Sequence, residues 1–184
     1  MLQLIQKNMA YRNLQQQVNE TSGGQFPFAA VLSCIDSRVP VETIFDQGIG
    51  DLFSIRIAGN FVNDDILGSM EFACKLAGSK VVLVLGHTSC GAVKGACDGA
   101  ELGKLTGMLN KIKPAVNAVQ EPEEASERTS GNLKFVNEVA QKNVELTIED
   151  IRKGSEVLSE MEATGDIVFA GAMYDVSTGE VHFV

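Results

Sequence analysis

The stretch KVVLVLGH, residues 80–87, is a continuous apolar run that ends on a histidine. Three other stretches have the same character: PFAAVLSC (27–34), LFSIRIAG (52–59) and IVFAGAMYD (167–175). Unbroken apolar runs of this length are typical of strands that are buried on both faces, as in parallel sheets. A fifth stretch, EVHFV (180–184), follows the turn signal STG and is predicted to be an antiparallel strand at the sheet edge.

A helical pattern lies between the second and third of these runs. Residues 64–77 carry an apolar stripe at helical spacing, with Asp64 and Asp65 as candidate caps and Gly78 as the stop. Strands alternating with helices predict an α/β fold around a mostly parallel central sheet of about five strands.

Two further helical patterns follow the third run. The apolar stripe over residues 102–119 contains Pro114, which should kink or divide the helix. The letters TIED at 147–150 resemble a capping box, and they predict a helix that starts there and ends near Gly165. These helices are expected to flank the sheet.

The composition excludes several classes of protein. A chain of 184 residues suits one domain, so we expect a single domain over 1–184 with a helical arm at 1–22. The net charge of -9 argues against nucleic acid, which is bound through basic patches. No apolar run approaches the ~20 residues that span a bilayer. Four cysteines and no secretory signal predict reduced thiols in the cytoplasm.

Metal-capable side chains end two of the predicted strands. Cys34 ends the run at 27–34, while His87 ends the run at 80–87 and is followed three residues later by Cys90. Because ligands in open α/β sheets bind beyond the carboxyl ends of the strands, the three converge if these strands are neighbours. Two thiolates and an imidazole suit Zn(II), and three protein ligands leave a position for water, as in catalytic zinc sites.

The remaining cysteines and the second histidine are given structural interpretations. Cys74 and Cys97 lie in helical segments, where a small core residue is the commoner role. His182 is alone on the last strand. Cys90 is expected to open a helix, with Gly91 after it, and the partial positive charge there should lower the pKa of its thiol.

An acid and a base follow the first cysteine directly. Asp36 lies two residues after Cys34, close enough to compete for the open metal position. Arg38 can pair with this carboxylate bidentately, which would keep it ionised, off the metal and oriented to accept a hydrogen bond from water. Taken singly, a buried cysteine or a loop ion pair is more often structural; the joint pattern is far more specific.

At these residues the sequence resembles the β-class carbonic anhydrases. CIDSR (34–38) and GHTSCG (86–91) match the C-x-D-S-R and H-x-x-C motifs of that family. The resemblance covers nearly all of the chain from Gln25 onward and includes FDQGIGDLFSIRIAGN (45–60), LGSMEFA (67–73) and GAMYDVSTGEV (171–181).

The resemblance implies a zinc enzyme that interconverts CO2 and bicarbonate. One Zn2+ per subunit would be held by Cys34, His87 and Cys90, with water as the fourth ligand in an open form and Asp36 in a closed form. Asp36 and Arg38 would be the catalytic dyad. The working unit would be a cytoplasmic homodimer or homotetramer with active sites near the subunit interface.

The resemblance also implies a substrate pocket. The segment GQFPF matches the plant-like, type I branch, in which the residue corresponding to Gln25 hydrogen-bonds substrate from the neighbouring subunit. Phe53 and Phe72 match aromatic pocket positions, and Gly91 is assigned to the same pocket. Ala58 stands where a valine is often found, which predicts a slightly wider pocket.

Two departures from the family pattern limit what is carried over. Val31 and Ser33 stand where the branch with a non-catalytic bicarbonate site has Trp and Gly, which argues against that form of regulation. The N-terminal region is short, so the arm that embraces a partner is expected to be reduced.

Other functions remain open on the sequence alone. A zinc lyase or hydrolase on the same scaffold could act on CS2 or COS, and pocket access would decide between these substrates. A non-catalytic zinc or bicarbonate sensor would keep the three ligands but lack Asp36 and Arg38. A thiol redox protein is disfavoured because the chain has no C-x-x-C.

Overall fold

The computed structural model describes residues 14–184, so the predicted arm at 1–22 lies outside the described residues except for its last part. The strands are β1 Ala29–Ser33, β2 Leu52–Arg56, β3 Val81–His87, β4 Val168–Tyr174 and β5 Val181–Phe183. The helices are α1 Gln15–Thr21, α2 Val41–Ile44, α3 Asp64–Glu71, α4 Gly91–Cys97, α5 Gly103–Leu109, α6 Lys113–Ala118, α7 Leu133–Gly154 and α8 Glu156–Ala163. Within residues 14–184, no helix combines the length and apolar character needed to cross a membrane.

The strands form one sheet in the order β2-β1-β3-β4-β5. The first three pairings, β1 with β2, β1 with β3 and β3 with β4, are parallel. β5 runs antiparallel to β4 at the edge, as its turn signal predicts. The α/β class, the five strands and their directions are therefore confirmed.

Both faces of the central strands are covered, which explains why their sequences are apolar without alternation. Leu32 and Val84 face the larger core, between the sheet and helices α3 to α8. Val31 and Leu85 face a smaller core on the opposite side, together with Val39. Burying each of these side chains contributes about 1.5–3 kcal/mol, so the core fixes the two strands that carry the site.

A glycine lets α7 lie directly against the end of β3. A Cβ atom on Gly86 would lie 2.6 Å from both Met173 Sδ and Val144 Cγ2, closer than packed atoms approach. Val144 belongs to α7, so this contact holds the helix beside His87.

The first predicted helix is found, but its cap is Asn63 rather than Asp64 or Asp65. The Asn63 side chain accepts a hydrogen bond from the N–H of Ile66 at 2.9 Å. The two aspartates lie in the first turn of α3, where their charge faces the positive end of the helix dipole. A π-helical turn at Phe72–Leu76 completes the helix before Gly78.

The capping-box prediction at 147–150 is wrong, because these residues lie inside α7. That helix begins after Asn132, whose side chain accepts from the N–H of Phe135 at 3.2 Å. Ser155 then caps α8, so the predicted helix ending near Gly165 is two helices.

The division expected at Pro114 is confirmed. The stripe is split into α5 and α6, and Pro114 lies in the first turn of α6. A missing N–H costs no hydrogen bond in that turn, which is why the chain tolerates proline there.

Candidate metal centre

The three predicted metal ligands come together at the carboxyl edge of the sheet. β1 and β3 are parallel neighbours in a register that pairs Ser33 with Leu85, so Cys34 and His87 leave the sheet side by side. Cys90 caps α4 immediately beyond. One ligand atom from each residue lies within 4.8 Å of the others, and the two sulfurs are 3.9 Å apart. All three side chains are buried.

The histidine ring is oriented for ligation through Nε2. Its Nδ1 lies 2.9 Å from the carbonyl oxygen of Thr88. A carbonyl can only accept, so Nδ1 donates to it, and Nε2 is the ring nitrogen left to ligate a metal together with the two sulfurs. Nε2 is buried without a protein partner, which ordinarily costs about 1–3 kcal/mol. A metal ion at this point would satisfy it.

The two thiols also favour a bound cation, because a positive charge would stabilise both of them as thiolates. Burial and the neighbouring sulfur of Cys34 raise the pKa of Cys90, while the hydrogen bond from Cys90 lowers the pKa of Cys34. The pair therefore keeps one proton, because two adjacent buried thiolates repel each other. A divalent ion would release that proton, and a donor set of two sulfurs and one imidazole nitrogen fits Zn2+.

This result differs from the lowered pKa expected for Cys90 at a helix start. The backbone N–H groups of Val93 and Ala92 do lower its pKa. Their effect is smaller than that of the neighbouring sulfur of Cys34, which the sequence pattern did not include.

The loop that follows Cys34 is held by an arginine that the sequence analysis missed. Arg56 donates from Nε to the carbonyl oxygen of Cys34 at 2.9 Å and from Nη2 to that of Asp36 at 2.6 Å. It ends β2, where it pairs with Ser33, and its sequence signal is its place within the stretch FDQGIGDLFSIRIAGN (45–60). Arg56 fixes the backbone on which the candidate dyad is built.

Asp36 and Arg38 form the bidentate pair that the sequence predicts. Arg38 donates from Nε to Oδ1 at 2.9 Å, from Nη2 to Oδ2 at 2.7 Å and from its backbone N–H to Oδ1 at 2.9 Å. The guanidinium holds the pKa of the Asp36 carboxyl well below its usual range. Oδ2 of this ionised carboxylate lies 3.9 Å from Nε2 of His87, at the ligand cluster.

A cavity of about 250 Å3 lies beside Cys34 and Asp36. The predicted pocket residues Ala58 and Gly91 both line it, together with small and apolar residues of α4 and α5. Its walls offer few groups to hydrogen-bond water, so the cavity suits a small neutral molecule next to the carboxylate.

The other predicted pocket residues lie elsewhere in the single chain. Phe53 and Phe72 contact each other edge to face, with ring centroids 6.1 Å apart, in a surface recess that also contains Asp64. Gln25 lies in a different recess, beside Gly50. Their contact with substrate stays a prediction, which for Gln25 involves a neighbouring subunit.

The remaining cysteines and His182 lie outside the cluster: Cys74 is a buried core residue, as predicted, and Cys97 is half-buried against the same core. Burial raises the pKa of both Cys74 and Cys97 to about 11. His182 is exposed on β5, with Nε2 3.5 Å from a carboxylate oxygen of Glu180. None of the three belongs to the ligand cluster.

Comparison with known proteins places residues 29–181 in a family model described as carbonic anhydrase. Carbonic anhydrase 2 of Mycobacterium tuberculosis is 37% identical over 158 residues, which cover 86% of this chain and 74% of that protein.

Solved structures agree with this match. The β-carbonic anhydrase CafA of Aspergillus fumigatus superposes with a TM-score of 0.82 at 26% identity, over all of this chain and 88% of that one. One of two tetrameric β-carbonic anhydrases from Sordaria macrospora has a TM-score of 0.81 at 24% identity, over 98% and 94% of the two chains. At that identity the second likeness concerns the fold alone.

Proposed function

This chain belongs to the β class of the carbonic anhydrase family, and we propose that it carries out the reversible hydration of CO2 in the cavity beside Cys34 and Asp36. The observation that carries this placement is the meeting of three buried ligand atoms, within 4.8 Å of one another, with a carboxylate fixed by Arg38. Substrate, carboxylate and metal ligands share one small space.

Cys34, His87 and Cys90 would hold one zinc ion per subunit. The unpaired Nε2 of the histidine and the close approach of the two sulfurs, 3.9 Å apart, support this assignment. Bound by these residues, zinc would supply Lewis-acid chemistry that lowers the pKa of water and makes hydroxide available. The protein's part is to fix the three donor atoms before the ion arrives.

Asp36 has one hydrogen-bonding position left for water. Its carboxylate offers about four lone pairs, and Arg38 occupies two on Oδ1 and one on Oδ2. The free lone pair is therefore on Oδ2, the oxygen nearest the ligand cluster. Accepting a hydrogen bond there, Asp36 would orient a water molecule toward CO2, and Arg38 would keep the carboxylate ionised and away from the metal position.

The cavity walls favour the neutral substrate over the charged product. CO2 is small and apolar, and Ala58 and Gly91 leave room for it without offering competing hydrogen bonds. Bicarbonate carries a charge that these apolar walls cannot solvate, which promotes its release toward solvent.

The finer assignments concern the assembly. We place the protein in the plant-like branch on the segment around Gln25, as a cytoplasmic homodimer or homotetramer of one domain over 1–184. Exposed apolar side chains support a subunit contact, since Phe72 is 49% exposed and Ile35, at the cavity, is 60% exposed. In this assembly Gln25, Phe53 and Phe72 complete a neighbouring pocket.

Stopped-flow CO2 hydration on protein of measured zinc content tests this function. Cys34→Ser should lower the zinc content, whereas Asp36→Asn should keep the zinc and lose the rate. A correctly folded protein that binds no zinc, or an Asp36→Asn variant with the full rate, would overturn the assignment.

A further inference from the structure

Helix α7 is hydrogen-bonded to two loops beside the candidate metal ligands: the loop between His87 and Cys90, and the loop after β2 that contacts Cys34. The side-chain oxygen of Asn137 accepts from the backbone N–H of Ser89 at 2.9 Å, within the loop between His87 and Cys90. Asn143 donates from Nδ2 to the carbonyl oxygen of Gly59 at 2.8 Å. The two amides are six residues apart, about 9 Å along the helix axis.

The contact to Ser89 holds an unusual turn. Ser89 has a φ of 56°, in the left-handed region that residues other than glycine rarely adopt. This conformation reverses the chain so that His87 and Cys90, three residues apart, point at the same place. The hydrogen bond to Asn137 is an interaction outside the loop that favours this turn.

The contact to Gly59 holds the other half of the site. Gly59 has a φ of 80° and donates its N–H to the sulfur of Cys34 at 3.4 Å. Asn143 holds the carbonyl group of the same glycine, and Thr147, one helical turn further, donates to the carbonyl oxygen of Asn60 at 3.3 Å. Both helix side chains are buried, so water does not compete for these bonds.

We propose that Asn137 and Asn143 are positioning residues for the metal centre. They fix to one rigid helix the loop between His87 and Cys90 and the loop at Gly59 that contacts Cys34. This inference rests on the proposed zinc site. Partners that orient metal ligands from outside typically change metal affinity by about 10- to 100-fold when they are replaced. Asn143 acts through Gly59 on Cys34, and Asn137 acts through Ser89 on His87 and Cys90.

The chemistry of the two contacts predicts different results for the same Asn→Asp substitution at the two positions. The Ser89 N–H can only donate, so Asn137→Asp keeps the required acceptor. The Gly59 carbonyl can only accept, so Asn143→Asp removes the donor and sets a negative charge against an oxygen. Both variants add the same charge to the same helix, and each is the control for the other.

Two readouts besides activity test the proposal. The affinity for Zn2+ is measured by competition with a chromophoric chelator, and the sulfur-to-metal charge-transfer band is recorded after Co2+ substitution. Asn143→Asp and Asn137→Leu should lose about 10- to 100-fold in affinity and shift the band. Asn137→Asp should stay close to the unmodified protein in both. If Asn143→Asp does not fold, the neutral Asn143→Ala serves the same comparison.

Ser155→Ala provides a control for stability alone. Ser155 is a buried cap of α8, and its side chain is hydrogen-bonded to Glu71 and Leu158, neither of which belongs to the site. This variant should lower the melting temperature without changing metal affinity. Equal affinities for the two Asn→Asp variants, or affinities that follow the melting temperature across the set, would overturn the inference. An unmodified protein that binds neither ion would instead overturn the proposed function.

Discussion

Arg38 holds both carboxylate oxygens of Asp36, with Nε 2.9 Å from Oδ1 and Nη2 2.7 Å from Oδ2. The planar fork of a guanidinium fixes the rotation of the carboxylate as well as its charge. This orientation directs the remaining lone pair of Oδ2 toward the ligand cluster.

Arg38→Lys should therefore lower kcat/KM while leaving the zinc content unchanged. A lysine ammonium supplies the charge but cannot grip both oxygens at once. Losing one hydrogen bond to a charged group costs about 1.5–3 kcal/mol, which corresponds to roughly 10- to 100-fold in rate. Arg152→Lys is the matched control, since Arg152 grips Glu162 in the same way far from the site. Equal kinetics for the two variants would contradict the role of Arg38.

Ala58→Leu should block the cavity without removing the metal. The larger side chain would occupy part of a space of only about 250 Å3. We expect roughly 10- to 100-fold lower kcat/KM, because a change of one or a few methylene groups in an apolar pocket alters substrate selection by about this factor. Zinc content and hydration kinetics are measured together. Ala118→Leu, at an exposed position of α6, should leave both at the level of the unmodified protein.

Glu162→Gln should lower the melting temperature at pH 7 but not in acid. The hydrogen bonds from Arg152 hold the pKa of the Glu162 carboxyl below its ordinary value of 4.5. A carboxyl with a lowered pKa in the folded state stabilises the protein above its ordinary pKa, and this contribution is lost as the pH falls through the folded value. Because the pair is partly exposed, the effect at pH 7 should be below about 1 kcal/mol.

Thermal unfolding from pH 7 to about pH 3 measures this dependence. The two curves should approach each other at low pH. If the difference in melting temperature grows on acidification, the ion pair does not stabilise the folded protein in the way proposed.

Removing zinc with a chelator should abolish activity but leave the sheet intact. The hydrogen bonds between β1 and β3 bring Cys34 and His87 together without help from the ion. Far-UV circular dichroism should stay unchanged while the melting temperature falls, because saturating metal at 100 times its Kd stabilises by about 2.7 kcal/mol. Returning zinc should restore the rate. Collapse of the helical and strand signals on chelation would show that the metal organises the fold.

Much of the fold could be predicted because each strand is indicated by the residues of its own segment. The apolar runs that became β1 and β3 need no alternation when both faces are covered, and they end on the side chains that form the site. The helix boundaries were less predictable. Asn63, Asp64 and Asp65 are all suitable caps by residue type, and only the extended backbone of Asn63 selects it. Residues 147–150 resemble the beginning of a helix, although the apolar stripe of α7 continues through them.

Contacts between distant segments could not be predicted. Arg56 reaches the loop at 34–36 only because β2 is next to β1, and Asn143 meets Gly59 across 84 residues of chain. These two contacts depend on the order of the strands and on where α7 packs against the sheet, which a single sequence does not specify. Gln25 is a further case, since its predicted role involves another copy of the chain.

The positions of the four cysteines allow zinc occupancy to be measured by alkylation of the protein itself. Cys74 and Cys97 stay protonated at neutral pH because burial raises their pKa to about 11, so they react slowly with alkylating reagents. Cys34 lines a cavity through which a small reagent can approach it, and ligation of the ion would block its sulfur. The mass added by brief treatment with iodoacetamide should thus count the empty sites in a preparation, and labelling spread evenly over all four thiols would show otherwise.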